Sequence, residues 1–411
     1  MKTDLDKLMK QHDIDVLFVT GAAQHNPAMI YFVGTAHVSD ALLIKKRGKE
    51  AVLFHYPMER EEAAKSGLAL VSFSKYPMTE FLKDAGGNHL EAMVLRFKKL
   101  LEEMKITSGR MAIYGKDEVG PLFSILSRLQ ELMPGLQMTG FVRDEILLNA
   151  MMTKDADEIE HVRNMGRITT EVVGKTADYI TGQRTKKGIL VHKDGSPVTI
   201  GEVKNWINLW LAERGVENPE GTIFAIGRDA GIPHSVGTVT DPLRLGQTIV
   251  YDIYPCEAGG GYFYDFTRTW SLGFATDEVQ LLHDQVKQVY DTLYDELKVN
   301  APFYKYQERT CELFEAMGHP TVKTNQITEV GYVHSIGHGI GLRVHEKPWS
   351  STVNPSPSDI LAPGSVFTLE PGLYYPERGM GVRIEDSLYA TPDGKFEILA
   401  DFPKDLVLPM K

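Results

Sequence analysis

The stretch IVYDIYPCEAGGGYFYDFTRTW, residues 249–270, decides how the second half of this chain folds. Two apolar runs that favour β-strands flank three consecutive glycines, 259–261, which supply the backbone freedom of a tight turn. The stretch therefore predicts a β-hairpin centred on Ala258-Gly259. In that register Asp252 and Asp265 face each other on the same side of the two strands.

A second stretch, SVFTLEPGLYYPERGMGVRIEDSLYA (residues 365–390), repeats this arrangement. Glu370 and Glu385 are symmetric about Glu377-Arg378 and are expected to face each other across an antiparallel pair. Any one of the four acids could be an ordinary strand-edge or turn residue. Acids inside apolar strand runs are uncommon, however, and directly opposed like charges destabilise a sheet. Two such pairs indicate a site that holds a cation or a shared proton.

Three histidines lie in the glycine-rich stretch VHSIGHGIGLRVHEKP (residues 333–348), namely His334, His338 and His345. Glycines around them predict a loop or irregular strand where the backbone closely approaches another group. A fourth candidate, His234, lies in GIPHSVGT and could equally be an ordinary loop histidine. The histidines add imidazole nitrogen to a set of carboxylates that are distant in sequence.

Four carboxylates and one imidazole make an oxygen-rich ligand set, which suits Mn²⁺, Co²⁺, Fe²⁺ or Zn²⁺ better than a thiolate-seeking metal. Two divalent cations would balance the four carboxylate charges. A metal pair of this kind polarises a carbonyl and activates water. The pattern therefore indicates a hydrolase rather than a single-iron oxygenase, which needs only two histidines and one acid.

The chain has 411 residues, of which 43% are hydrophobic and 24% charged, as in ordinary globular proteins. This length predicts two domains. Residues 1–150 alternate helix-like and strand-like segments and predict a small α/β domain. Residues 151–411 begin with a long helical stretch, Asp155–Thr181, and continue with strands and further helices.

The net charge of −11 argues against nucleic acid and anionic membranes as partners. No stretch approaches the roughly 18 consecutive apolar residues of a membrane span, and the N-terminus lacks the apolar run of a secretion signal. Only two cysteines occur, Cys256 and Cys311, which fits a reducing compartment. We expect a cytoplasmic protein without membrane or nucleic-acid partners.

The blocks DIYP…YFYDFTRTW, HGIGLRVHEKP, TLEPGLYYPERG and VRIED resemble the pita-bread metallopeptidases, most closely prolidase and aminopeptidase P. The similarity runs from about Lys154 to the C-terminus, and the N-terminal half resembles the creatinase/prolidase N-terminal domain. It implies an α+β fold in which a pita-bread catalytic domain follows a smaller α/β domain. The separation of 13 between Asp252 and Asp265 is two longer than the family's commonest spacing, which puts substrate preference in doubt.

The resemblance also implies a role for each candidate ligand. Asp252 would chelate one metal ion, whereas Asp265 and Glu385 would be shared by both. His338 and Glu370 would complete the two ligand sets. The ions are expected to be manganese, with cobalt, zinc or iron as alternatives.

Further roles follow from the same resemblance. Glu370 would shuttle the proton, and His234 and His345 would stabilise the oxyanion and the developing amine. His334 matches a histidine near the substrate pocket. Arg383 matches an arginine that pairs with the ligand carboxylates.

The implied activity is hydrolysis of the peptide bond before proline in small peptides, by a homodimeric enzyme. Whether the protein is an Xaa-Pro dipeptidase or an Xaa-Pro aminopeptidase stays open. Two alternatives on the same fold are a creatinase-like hydrolase of a small non-peptide C–N bond and a non-catalytic binding protein. Both are disfavoured because all five expected ligands are present. Methionine aminopeptidase is disfavoured because those enzymes generally lack a large N-terminal domain.

Overall fold

The computed structural model describes residues 4–353 and 355–411. The chain forms two compact units, Met1–Met151 with Gly259–Gly261, and Met152–Ala258 with Tyr262–Lys411. The domains 1–150 and 151–411 remain a prediction about independent folding, which this division does not test. Among the described residues, no helix is both long enough and apolar enough to cross a membrane.

The first unit is built on a six-stranded mixed sheet in the order β4-β3-β2-β1-β5-β6. Its strands are β1 (Val16–Thr20), β2 (Ala41–Lys46), β3 (Ala51–His55), β4 (Ala69–Ser72), β5 (Gly109–Gly115) and β6 (Leu136–Thr139). Its helices are α1 (Leu5–Gln11), α2 (Pro27–Val33), α3 (Arg60–Ala64), α4 (Met78–Asp84), α5 (His89–Glu103) and α6 (Val119–Leu132). The expected small α/β architecture is present.

Local sequence explains these elements. All five residues of β1 are buried, as the apolar run predicts for a central strand. Strands β2 and β3 form the expected hairpin, with Ala41 opposite His55. The side chain of Asn88 accepts a hydrogen bond from the amide of Glu91 and so caps the start of α5.

The short helix α7 (Leu147–Met152) precedes the second unit, which has four long helices: α8 (Ala156–Thr181), α9 (Ile200–Ala212), α10 (Asp277–Glu296) and α11 (Tyr304–Ala316). Its strands are β7 (Arg184–Lys186), β8 (Ile189–Val191), β9 (Val216–Glu217), β10 (Thr222–Ile226), β11 (Thr248–Ile253), β12 (Cys256–Glu257), β13 (Phe266–Leu272), β14 (His338–Gly339), β15 (Glu346–Trp349), β16 (Val366–Leu369), β17 (Gly372–Tyr375), β18 (Met380–Arg383), β19 (Asp386–Ala390), β20 (Phe396–Ile398) and β21 (Val407–Leu408). Four single 3-10 turns lie at Pro57–Glu59, Phe73–Lys75, Asp229–Gly231 and Pro376–Arg378.

Helix α8 begins with a capping box, in which the side chains of Asp155 and Glu158 each accept a hydrogen bond from the other's backbone amide. Its buried residues recur at helical spacing, and they include Val162, Met165 and Val172. The predicted long helix is therefore confirmed, and one apolar face anchors it to the core.

Two larger sheets dominate the second unit, one ordered β10-β11-β13-β21 and the other β15-β14-β16-β19-β20. The first packs with α8 and α9 in one hydrophobic cluster. Most of the second, with the β17-β18 pair, packs with α10 and α11 in another. Each sheet therefore has one face covered by a pair of helices.

Side chains alternate along these strands and divide apolar from polar residues. On β11, Tyr251 and Ile253 join the core beneath α8 and α9, so the intervening Asp252 points to the opposite face. In the separate two-stranded sheet β17-β18, Val382 of β18 and Ile384, just after it, join the core beneath α10 and α11, and Arg383 between them points away from it. Asp252 and Arg383 are thus buried polar side chains on faces turned away from the helices.

The register of the second acidic pair is confirmed. Strand β16 pairs with β19, with Leu369 opposite Asp386, and β17 pairs with β18, with Gly372 opposite Arg383. Both ladders share the register that was predicted for Glu370 and Glu385, but between the ladders the two acids bond to other segments: Glu385 pairs with Thr267, and the amide of Glu370 donates to the carbonyl oxygen of Ile336. These two acids therefore lie where the chain passes from one strand pair to the next.

The register predicted for the first acidic pair is wrong: the centre of the hairpin lies one residue further along the chain, so each residue pairs with a partner two positions from the predicted one. Asp252 pairs with Thr267 rather than with Asp265, and the same register continues to the Cys256–Phe263 bridge. The hairpin is therefore centred on Gly259-Gly260, where both glycines have positive φ, +84° and +87°. Asp265 still lies on the same face as Asp252, because a shift of this size preserves the alternation.

Candidate metal centre

Three side chains from distant parts of the chain meet between the polar faces of the two sheets. Asp265, His338 and Glu385 each offer one ligand atom, and these atoms lie within 4.8 Å of one another. All three residues are buried. The Nε2 atom of His338 lies 3.7 Å from Asp265 Oδ2 and 3.5 Å from Glu370 Oε1, so Glu370 joins the same cluster.

The acids of this cluster repel one another. Burial raises the pKa of Asp265 well above its usual range, and the charges of Asp252 and Glu370 raise it further. Burial and the charge of Asp265 likewise raise the pKa of Glu385 well above normal. Burial raises the pKa of Glu370 to about 8, although Arg383 opposes this shift. All of these carboxylates can be ionised together in a desolvated site only when a cation compensates their charge; otherwise they share protons.

Two carboxylate oxygens have unused hydrogen-bonding capacity. Among the described residues, Asp252 Oδ1 and Asp265 Oδ1 are buried and have no hydrogen-bond partner. Buried polar atoms normally find a partner, so two unpaired acceptors on neighbouring carboxylates fit a site that binds a cation. The donor set of four carboxylates and one imidazole fits divalent metal ions such as manganese.

The histidine of the cluster is in the form that can bind a metal. The Nδ1 atom of His338 lies 3.1 Å from the carbonyl oxygen of Gly339, so we assign the ring proton to Nδ1. Burial and the neighbouring His345 lower the pKa of His338 to about 3. The ring is therefore neutral, and the lone pair of Nε2 faces Asp265 and Glu370.

Arg383 links several parts of the site through its guanidinium group. It donates from Nη2 to Asp252, from Nε to Thr267 Oγ1 at 3.1 Å, and from Nη1 to Tyr374 OH at 2.8 Å. Nη1 also lies 3.3 Å from the carbonyl oxygen of Pro233. The side chain of Arg383 is only 4% exposed. It therefore orients Asp252 and compensates part of the negative charge.

Tyr374 transmits this orientation to His334. Arginine can only donate, so the phenol oxygen of Tyr374 accepts a hydrogen bond from Arg383. The phenol O–H then donates a hydrogen bond to His334 Nε2, 2.8 Å away. Burial raises the pKa of Tyr374 to about 12, so the phenol keeps that proton. His334 then carries its proton on Nδ1, which lies 2.7 Å from the carbonyl oxygen of Ser335.

The other two predicted histidines lie at the open side of the cluster. The ring of His345 is 4.3 Å from the ring of His338, centroid to centroid, and its side chain reaches solvent. Desolvation is the main cause of the lowered pKa of His345, and His234 contributes to it. His234 also contributes to the lowered pKa of His334. All nine predicted site residues thus gather in one region of the second unit.

Two residues of this network, Thr267 and Tyr374, were not predicted from the sequence. Thr267 Oγ1 donates to Glu385 Oε2 at 2.6 Å, and Tyr374 connects Arg383 to His334. Strand alternation from Asp265 would have put Thr267 on the ligand face. No pattern in the sequence distinguishes Tyr374 from the adjacent Tyr375.

Comparisons with known proteins identify the family and the fold of this chain. The family model of metallopeptidase family M24 matches residues 160–392. The Xaa-Pro dipeptidase of Pyrococcus furiosus is 24% identical over 398 residues, which cover 96% of this chain and 97% of that protein.

Solved structures share the fold over nearly the whole chain. The dipeptidase of Pyrococcus horikoshii superposes with a TM-score of 0.74 at 21% identity, covering 98% of both chains. The X-Pro aminopeptidase of Thermotoga maritima superposes with a TM-score of 0.73 at 22% identity, covering 98% of this chain and 99% of that one. The expected pita-bread architecture is thereby confirmed. Because the family model spans more than half of the sequence, this chain belongs to metallopeptidase family M24.

Proposed function

We propose that this protein is an exopeptidase that uses two divalent metal ions to hydrolyse the peptide bond before proline in small peptides. Membership of a metallopeptidase family supports the reaction type. The relatives named as Xaa-Pro dipeptidase and X-Pro aminopeptidase support the choice of the bond before proline. Proline also offers a ring of fixed geometry without an amide hydrogen, which a shaped pocket can recognise.

One observation carries the proposal: buried carboxylates crowd around the neutral Nε2 atom of His338, and two of their oxygens lack a partner among the described residues. A purely structural cluster would pair these oxygens with donors. His345 is exposed, and its ring lies 4.3 Å from that of His338, so this imidazole would be the one to contact a substrate that reaches the cluster from solvent.

The proposed ligands are the five that the resemblance implies. Asp252 would bind one ion, Asp265 and Glu385 would be shared, and His338 and Glu370 would complete the set. Manganese is the first candidate, and cobalt, zinc and iron suit the same donors. When bound, such ions polarise the scissile carbonyl and acidify a water molecule.

Proton transfer and charge stabilisation would be carried out by side chains of the protein. Glu370 is the proposed carrier, which takes a proton from the attacking water and delivers it to the prolyl nitrogen as the bond breaks. His345 and His234 would donate hydrogen bonds to the carbonyl oxygen and stabilise the leaving amine. Arg383 holds Asp252 in place, and Tyr374 holds His334 in one tautomer.

The decisive experiment compares Xaa-Pro dipeptides, Xaa-Pro-Yaa tripeptides and matched Xaa-Ala peptides on metal-stripped protein before and after Mn²⁺ is added. We expect cleavage only with proline in the second position and only with metal, together with two metal ions per chain by elemental analysis. Equal rates of cleavage of Xaa-Ala and Xaa-Pro peptides would contradict the proposed specificity for proline. Full metal occupancy without any cleavage would favour the binding-protein alternative.

The same panel separates a dipeptidase from an aminopeptidase. A dipeptidase acts on the dipeptides alone, because it reads the free carboxylate of the substrate, whereas an aminopeptidase also accepts the tripeptides. The homodimeric state and the cytoplasmic location stay predictions, to be tested by light scattering and by cell fractionation.

A further inference from the structure

The hydroxyl group of Thr267 lies between the guanidinium group of Arg383 and the carboxylate of Glu385, a proposed metal ligand. It lies on β13, is fully buried, and faces the same side as Asp252. Its hydroxyl oxygen is 3.1 Å from Arg383 Nε and 2.6 Å from Glu385 Oε2. Backbone hydrogen bonds between Thr267 and Glu385 hold the two residues opposite each other.

The direction of each hydrogen bond follows from the chemistry of the groups. The Nε atom of Arg383 can only donate, so the hydroxyl oxygen of Thr267 accepts. A hydroxyl has a single hydrogen, and the short contact gives it to Glu385 Oε2. This hydrogen bond fixes the rotation of the Glu385 carboxylate, so the lone pairs that remain on Oε1 and Oε2 have set directions.

We propose that Thr267 is a positioning residue that holds the Glu385 carboxylate in the orientation in which it faces Asp265 and His338. This inference rests on the proposed function, because it takes Glu385 as a ligand. Partners of this kind fix the orientation of a ligand and typically change metal affinity by about 10- to 100-fold. Since Glu385 is a proposed shared ligand, loss of the Thr267 hydroxyl is expected to weaken the binding of both metal ions.

The chain provides a matched control two residues along the same strand. Thr269 is equally buried and lies on the same face. Its hydroxyl donates to the carbonyl oxygen of Arg383 and accepts from the amide of Arg383, both at 2.9 Å. Thr267→Val and Thr269→Val therefore remove the same number of hydrogen bonds in the same core, but only the first touches a proposed ligand.

The test is titration of metal-stripped protein with Mn²⁺ by calorimetry, together with the melting temperature of the metal-free form. We expect Thr267→Val to bind Mn²⁺ about 10- to 100-fold more weakly, and Thr267→Ser to restore the affinity. Thr269→Val should lower the melting temperature to a similar degree but bind Mn²⁺ within about threefold of the unmodified protein. Thr267→Ala provides a second variant without a hydroxyl in case the valine does not fit.

Unchanged Mn²⁺ affinity in folded Thr267→Val and Thr267→Ala would overturn the inference. An equal loss of Mn²⁺ affinity in Thr269→Val would also overturn it. Because this readout is metal binding and not turnover, it is separate from the test of specificity. A protein that binds two manganese ions with the expected ranking of variants, yet cleaves no Xaa-Pro peptide, would refute the proposed function and leave the role of Thr267 intact.

Discussion

Removal of the charge of Asp386 should destabilise the second unit strongly. Asp386 is fully buried, and its Oδ1 atom pairs with Arg268 Nη2 at 2.7 Å. Its Oδ2 atom pairs with Lys404 Nζ at 2.7 Å and accepts from Tyr290 OH at 2.5 Å. The substitution Asp386→Asn keeps the shape of this residue but leaves two cations without their anion.

Breaking a buried pair by removing one partner costs about 3–5 kcal/mol, because the other charge stays buried. Here Arg268 also donates to the carbonyl oxygens of Thr267, Glu385, Phe402 and Pro403, which soften the loss. We therefore expect the lower end, about 3 kcal/mol in the free energy of unfolding.

Tryptophan fluorescence during urea unfolding measures this loss selectively. All four tryptophans, Trp206, Trp210, Trp270 and Trp349, belong to the second unit. The matched control is Asp291→Asn, which breaks an exposed pair with Lys287 of 2.6 Å on helix α10 and should cost less than about 0.5 kcal/mol. If Asp386→Asn cost under about 1 kcal/mol, or no more than the control, the reasoning about buried charge would be refuted.

Three further outcomes concern the site and the surface. Asp265→Ala or Glu385→Ala should abolish both metal binding and peptide cleavage, and near-normal turnover with bound metal would exclude the residue as a shared ligand. His345→Ala should retain its metal, measured by elemental analysis, but lose roughly 10²–10³ in turnover, as an oxyanion donor does; an unchanged rate would remove it from the mechanism. His161 Nδ1 lies 2.5 Å from Glu257 Oε1, and this hydrogen bond raises the pKa of His161. The pair therefore stabilises the fold fully at a pH below the unfolded pKa of about 6.5. This stabilisation is lost as the pH rises through the folded pKa. His161→Gln should therefore lose stability at pH 5.5 but not at pH 9, by less than about 1 kcal/mol because the ring is partly exposed; a loss that grows with pH would contradict this.

Much of the site could be predicted because its acids interrupt apolar strands. The pairing of Glu370 with Glu385 followed from symmetry about a single turn, and the observed ladders have that register. For Asp252 and Asp265 the symmetry argument was off by one residue per strand. Three consecutive glycines allow more than one turn centre, and the two registers place the same side chains on each face, so the apolar pattern could not decide between them.

Partners that come from unrelated segments were harder to predict. Arg383 was expected to pair with carboxylates only because of the family resemblance, and its bond to Thr267 depends on how two sheets approach each other. Tyr374 lies on the neighbouring strand of the same hairpin as Arg383. Hydrophobic periodicity determines which face a residue occupies, but it carries no information about which polar residue from another sheet will lie opposite.

The shared register of the two strand pairs around Glu370 and Glu385 has an evolutionary consequence. The pairing of Leu369 with Asp386 lies on one side of these acids, and the pairing of Gly372 with Arg383 lies on the other. Insertions or deletions at the connecting tip, Pro376–Arg378, would therefore change the number of residues between the acids without turning either one away. Sequence distance between such residues can drift during divergence, and the tip is free to acquire new surface properties while the centre stays the same.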